Sequence, residues 1–248
     1  MKTKIRKFIG SGTTNRNMVK IFSVLLVTAS TIFTSVAQKS EERPIVEFTG
    51  LQAGGAISVY VSQGNANSLR IEADENILKD IKSEVKNGVL KIVNEHDYKW
   101  FSDERHIPVK VYVTIKDLTM IDLSGASNLK GETTIKTNKL RINLSGASNM
   151  NLILEANELN VDVSGASDMK ISGTVQTIDA DLSGASSFKA FDLESNTAKV
   201  MATGASRIEI NTKDELTGHA SGASSIVYKG TPQRSKLTES GASSVSRY

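Results

Sequence analysis

The chain has 248 residues, with 30 Lys and Arg against 27 Asp and Glu, 39% hydrophobic residues and no cysteine. The missing cysteine excludes a disulfide scaffold and a lipid-modified cysteine anchor. A formal charge of +3 gives no ground for a nucleic-acid partner.

Residues 1–37 differ in kind from the rest. Six of the basic residues and none of the acidic ones lie there, ahead of the apolar stretch Ile21 to Ala37, which ends Ser35-Val36-Ala37-Gln38. A basic start, an apolar middle and small residues before a cut make a secretory signal peptide. The apolar stretch is broken by Thr and Ser and falls short of the roughly 20 residues a membrane span needs, so no transmembrane segment is expected after cleavage. Met18 is a second candidate start. Cleavage after Ala37 leaves 24 basic and 27 acidic side chains, a net charge of −3. The expected product is one exported domain in the periplasm, on the outer-membrane surface or outside the cell.

Residues 38–117 carry strand signals without a strict repeat. Ile57, Val59 and Val61 alternate with Ser58 and Tyr60, and Leu69, Ile71 and Ala73 come after the Gly64-Asn65 turn. Period two with one apolar face predicts half-buried strands. Asp74 to Lys79 predicts one helical turn, and Asn87-Gly88 predicts a two-residue hairpin turn, since both positions there favour positive φ. This segment is expected to be the N-terminal β cap of a ladder built by the residues beyond it, because an open ladder exposes core and unpaired edge. Glu95 to His106 is irregular and holds Trp100 between Tyr98 and Phe101. These aromatics suit stacking on a sugar ring, or folding back over the end of the core, the reading favoured here. His96 and His106, ten residues apart, match no zinc-ligand spacing.

From residue 118 the chain repeats. Ser-Gly-Ala-Ser occurs six times and Thr-Gly-Ala-Ser once, with glycines at Gly125, Gly146, Gly165, Gly184, Gly204, Gly222 and Gly241, spaced 18 to 21 residues apart. A period near 19 with alternating arms, such as Leu140, Ile142, Leu144 and Leu159, Val161, Val163, predicts an all-β parallel β-helix. Equivalent strands of successive coils must then pair in parallel, the rest of the coil serving as the crossover. Glycine supplies the positive φ of a sharp corner, and the alanine after it keeps the corner thin. The fourteen flanking hydroxyls are read as structural ladders, bonded to local backbone and to the same residue one coil along. A hydroxyl ridge that binds sugar is the alternative.

These features together, from Val46 to Val93 with ADENILKDIKSEVKNGVLKI at Ala73 to Ile92, VKVYVTIKDLTMIDLSGASNLKG at Val109 to Gly131, and the iterated SGAS corners, closely resemble the head GIN domain family of putative auto-transporter adhesins. The resemblance covers essentially all of the chain after the signal peptide. It implies a secreted β-helical domain without an assigned activity, and no functional residues come with it. Here the corner reads Gly-Ala-Ser in place of Gly-Ile-Asn, and the stretch from Ala242 to Tyr248 is too short for a translocator barrel.

The outward position three residues before each glycine reads Asp122, Asn143, Asp162, Asp181, Met201, His219 and Thr238. Stacked coils would set Asp162 and Asp181 one strand spacing apart, with Asp179 on the same face. Such an oxygen-rich cluster suits Ca²⁺; the plainer reading, preferred here, is a solvated acidic face balanced by Lys199. No P-loop, dinucleotide fingerprint, zinc signature or nucleophile elbow is present. The expectation is therefore a non-catalytic binding module without cofactor, its ligand a glycan or an envelope protein, with Tyr98, Trp100, Asp162, Asp179 and Asp181 as candidate contacts. A polysaccharide hydrolase or lyase on the same scaffold is the alternative, although coils this short wall no cleft to exclude water. The strand after Gly241 is expected to leave an edge that supports weak self-association.

Overall fold

A computed structural model describes residues 38–94 and 109–248, and in them most of the backbone is strand. The long strands β9 (Asn128–Leu144), β10 (Asn149–Val163), β11 (Asp168–Leu182), β12 (Ser187–Ala202) and β13 (Arg207–Gly222) each run from one corner to the next. They pair in parallel in chain order. Beyond them β14 (Ser225–Lys229) and β15 (Arg234–Gly241) lie on β13, and β16 (Ser244–Arg247) lies on β14. The predicted parallel β-helix is the fold. Register is set by like upon like: Leu129, Met150, Met169, Phe188, Ile208 and Ile226 form one column. All six are buried, since a slip of one residue would turn every apolar side chain outward.

The N-terminal stretch forms two further coils out of chain order. Strands β2 (Gly50–Gly54) and β3 (Ile57–Gln63) flank a corner at Gly55-Ala56. They pair in parallel with β8 (Met120–Leu123) and β9 on one side. On the other side they pair with β6 (Val89–Asn94) and β7 (Val109–Ile115). The chain therefore lays its second coil first, passes to the end of the stack, and steps back over β2 to begin the repeats. Thr119 N–H donates to the Thr49 carbonyl at 2.8 Å on that return.

Antiparallel strands finish this end. Strand β5 (Ile81–Lys86) reverses onto β6 through Asn87 and Gly88, whose φ angles are 54° and 74°. Strand β4 (Ser68–Ala73) reverses onto β7, and β1 (Lys39–Arg43) lies outside it. The expected helical turn is α1 (Glu75–Leu78), capped by the Asp74 carboxylate accepting from Asn76 N–H at 2.9 Å. Both outermost strands carry exposed charge, Lys39, Glu41 and Glu42 on β1 and Lys82, Glu84 and Lys86 on β5, which discourages pairing with another sheet.

Candidate functional site

The corner column divides the molecule's outward side into two faces. All seven repeat glycines have φ between 72° and 77°, and each following alanine N–H from Ala147 onward donates to the glycine carbonyl one coil before, at 2.7 Å for Ala147 and 2.8 Å for the others. The two hydroxyls of each corner behave differently. The second, at Ser127, Ser148, Ser167, Ser186, Ser206 and Ser224, is buried. Five of these donate to the carbonyl three residues back, as Ser206 does to Thr203 at 2.8 Å. At Ser145, Ser164 and Thr203 the first hydroxyl donates to a carbonyl of the preceding coil, at 3.1 Å from Thr203 to Leu182. Of the two kinds of bond expected, these are the bonds to backbone, and the carbonyls at Leu123, Leu144 and Leu182 accept both a backbone N–H and a corner hydroxyl. With the second hydroxyl turned inward, the corner presents one outward row of hydroxyls.

The face before the corner is acidic. Gln52, Asp122, Asn143, Asp162, Asp181, Met201, His219 and Thr238 form one column in register. Burial raises the Asp122 carboxyl above its ordinary range, partly offset by a hydrogen bond from Gln52 Nε2 at 3.2 Å. Asp162 and Asp181 stand abreast on paired strands beside a depression of about 560 Å³, and among the described residues neither has an ion-pair partner. Asp179 faces Lys199 at 3.4 Å. Among the described residues no group of three or more His, Cys, Asp or Glu is placed to hold a metal ion. His219 Nδ1 lies 2.8 Å from Thr238 Oγ1. That pair crosses two coils on an exposed strand, and among the described residues no third group orients the ring.

The face after the corner is basic and aromatic. In register across five coils stand Tyr60 on β3, Lys130 on β9, Asn151 on β10, Lys170 on β11 and Lys189 on β12. Ser58, Asn128, Asn149 and Asp168 form the adjoining column. Between the columns runs an open groove of about 340 Å³. Tyr60 is stacked on Tyr112, ring centroids 5.0 Å apart and planes 17° apart, and the Arg70 guanidinium lies 4.0 Å over the Tyr112 ring. Burial, then a hydrogen bond to Glu72, raises the Tyr112 hydroxyl. Asn149 Nδ2 donates to Asn128 Oδ1 at 3.1 Å. The lysines meet carboxylates along their rims: Lys130 with Glu132 at 2.9 Å, Lys170 with Asp192 at 3.6 Å and Lys189 with Asp168 at 4.0 Å.

Of the residues singled out by sequence, Asp162, Asp179 and Asp181 share the acidic face, while Tyr98, Trp100, His96 and His106 lie outside the described residues. The sequence reading missed Tyr60 and Tyr112. Each is an aromatic at an outward position of an alternating strand, a visible signal, but their stacking depends on the out-of-order coils.

Residues 47–232 match the family model described as "Putative auto-transporter adhesin, head GIN domain". The fold is also that of solved structures. A putative adhesin from Bacteroides fragilis superposes with a TM-score of 0.80 at 24% identity, covering 86% of this chain and 98% of that one. A putative lipid binding protein from Parabacteroides distasonis gives 0.68 at 21% identity, covering 86% and 98%. A putative adhesin from Parabacteroides merdae gives 0.65 at 18%, covering 86% and 97%. No protein of curated function matches the sequence.

Proposed function

We infer the function from one premise: the chain belongs to the family described as "Putative auto-transporter adhesin, head GIN domain". It is an exported, non-catalytic binding module of the cell envelope, with a glycan or an envelope protein as ligand. The observation that carries this reading is the register of the coils. Side chains of one column recur at the strand spacing of about 4.8 Å on a backbone held at every corner, so a surface ligand meets a preorganised row and little order is lost on binding. Three solved structures of this fold bear the name putative adhesin, and the signal-like residues 1–37 fit export. Asp162, Asp179 and Asp181, with Tyr98 and Trp100, are candidate contacts, Ca²⁺ bridging the aspartates if an ion takes part.

The enzyme reading finds less support. Both depressions beside the corner are open to water, whereas general acid catalysis asks for a carboxyl held in a shielded site. Binding of a lipid, the activity in the name of the Parabacteroides distasonis protein, asks for an apolar cavity, and large apolar side chains from both ends of the ladder, Leu51, Ile121, Leu140 and Phe188 among them, are fully buried in the core. A glycan array and a panel of polysaccharides incubated with the purified chain test the reading. Retention on a subset of surface glycans without release of reducing ends or unsaturated sugars is expected. Turnover of any polysaccharide would overturn the non-catalytic claim.

A further inference from the structure

We propose that the groove after the corner, from Tyr60 to Lys189, binds a segment of acidic, uronate-bearing polysaccharide. The proposal rests on the reading of the chain as a binding module and assigns it a ligand class and a place.

The shape of the groove selects a slim linear ligand. Its floor columns run across coils, along the stacking axis, and four strand spacings of about 4.8 Å separate Tyr60 from Lys189, about 19 Å in all. That length accommodates several pyranose rings in an extended chain. The groove is open, so a polymer can enter sideways; past Lys189 the column continues to Glu209, which is paired with Arg207.

The chemistry selects charge and sugar together. Tyr60 is held against Tyr112 and so offers its ring in a fixed orientation; a rigid aromatic at the end of a groove is a stacking platform for the apolar face of a sugar. Lys130, Lys170 and Lys189 point three ammonium groups along the same column, with Asn128, Asn149 and Asn151 as hydrogen-bonding partners for ring hydroxyls. The carboxylates that now meet the lysines do not close the site. In each pair both side chains are more than 40% exposed, and exposed ion pairs contribute little, so a ligand carboxylate can replace them. Asp168, the acidic member of the lining, lies at the limit of contact with Lys189. A polymer with one carboxylate per unit meets lysines recurring at coil spacing without any folded partner surface. The acidic face on the other side of the corner would repel the same ligand, which gives the molecule a preferred side.

Calorimetric titration of the purified chain with hexamers of galacturonate, guluronate and glucuronate-containing glycans tests this, with the methyl-esterified galacturonate hexamer as the uncharged control. Binding of at least one acidic hexamer is expected, weakened by added salt and at least about tenfold weaker for the ester. Tyr60→Ala and the triple change Lys130→Gln, Lys170→Gln, Lys189→Gln should each weaken it by at least about tenfold. All four positions are on the surface, and unchanged melting midpoints show that the variants fold. Failure to bind any acidic hexamer, equal binding of the ester, or binding indifferent to both variants would overturn the groove assignment. Retention of the groove variants on other surface glycans or envelope proteins would then show that the adhesin reading survives without it.

Discussion

The repeat coils from Ser124 to Ser243 and the N-terminal coil of β2 and β3 use the same ladder with different corners. In the repeats one residue per corner, the glycine, has positive φ, and a buried serine hydroxyl fills the inner position. In the coil of β2 and β3 the corner is Gly54-Gly55-Ala56-Ile57. There Gly55 and Ala56 both have positive φ, 84° and 59°, and Ile57 is fully buried where the repeats bury serine. Gly54 stands where the repeats have their first serine, and a Cβ there would meet Ser124 Oγ at 2.7 Å. The ladder thus demands alternation and a left-handed corner. The serines are one of two ways to satisfy the inner position, hydrogen bonding in one region and apolar burial in the other.

The sharpest way to break this comparison is at the corner glycines. A Cβ on Gly165 would meet the Gly146 carbonyl oxygen at 2.4 Å and its nitrogen at 3.0 Å. On Gly125, stacked on the N-terminal corner, the nearest atom would be Gly55 N at 3.2 Å, and on Gly88 nothing lies within 4 Å. The left-handed conformation alone costs an L-residue about 1–2 kcal/mol. Gly88→Ala should lose about that much, Gly125→Ala somewhat more, and Gly165→Val upwards of about 3 kcal/mol, since backbone in the next corner cannot yield. Urea melts of the three variants give the ranking. Equal losses at Gly165 and Gly88 would show that the corners are not stacked.

Much of this was legible in the sequence because a coil is a local unit. The period of the glycines alone puts Asp162 beside Asp181 and Asp179 beside Lys199, and Asn87-Gly88 and Asp74 announce their turn and cap. The order of stacking was not legible. Nothing local distinguishes a coil that pairs with its successor from one that pairs with its successor but one, so the placement of β2 and β3 between β6–β7 and β8–β9 is a long-range outcome. The Gly55-Ala56 corner carries the repeat's Gly-Ala pair, but the serines by which the others are recognised are absent. Tyr60 and Lys130 are 70 residues apart in sequence, and only that stacking makes them neighbours.

A second test exchanges the two ways of filling the inner position. Ile57→Ala removes a fully buried side chain and should cost about 2–5 kcal/mol. Ser206→Ala removes a hydroxyl that donates to Thr203 O at 2.8 Å and should cost about 1 kcal/mol. The same urea melts measure both. A larger loss at Ser206 than at Ile57 would mean that hydrogen bonding, and not burial, governs the N-terminal corner as well.

The smallest expected effect lies at the seam between the two regions, where Asp122 of the first repeat coil faces Gln52 of the N-terminal coil. Burial raises the Asp122 carboxyl in the fold, and the Gln52 hydrogen bond lowers it only in part. A carboxyl raised in the folded state binds its proton more tightly there than in the unfolded chain, whose value is near 3.9. Its contribution to stability is therefore fully present below about pH 3.9 and is lost as pH rises through the raised folded value. At neutral pH the ionised group weakens the seam. Asp122→Asn keeps the shape and an oxygen for Gln52 Nε2 while removing the charge, so its melting midpoint should exceed that of the parent at pH 7, the gap closing as the pH falls below about 4. A gain that persists unchanged at pH 3, or a loss at pH 7, would show that the two regions meet at a seam whose stability does not depend on this carboxylate.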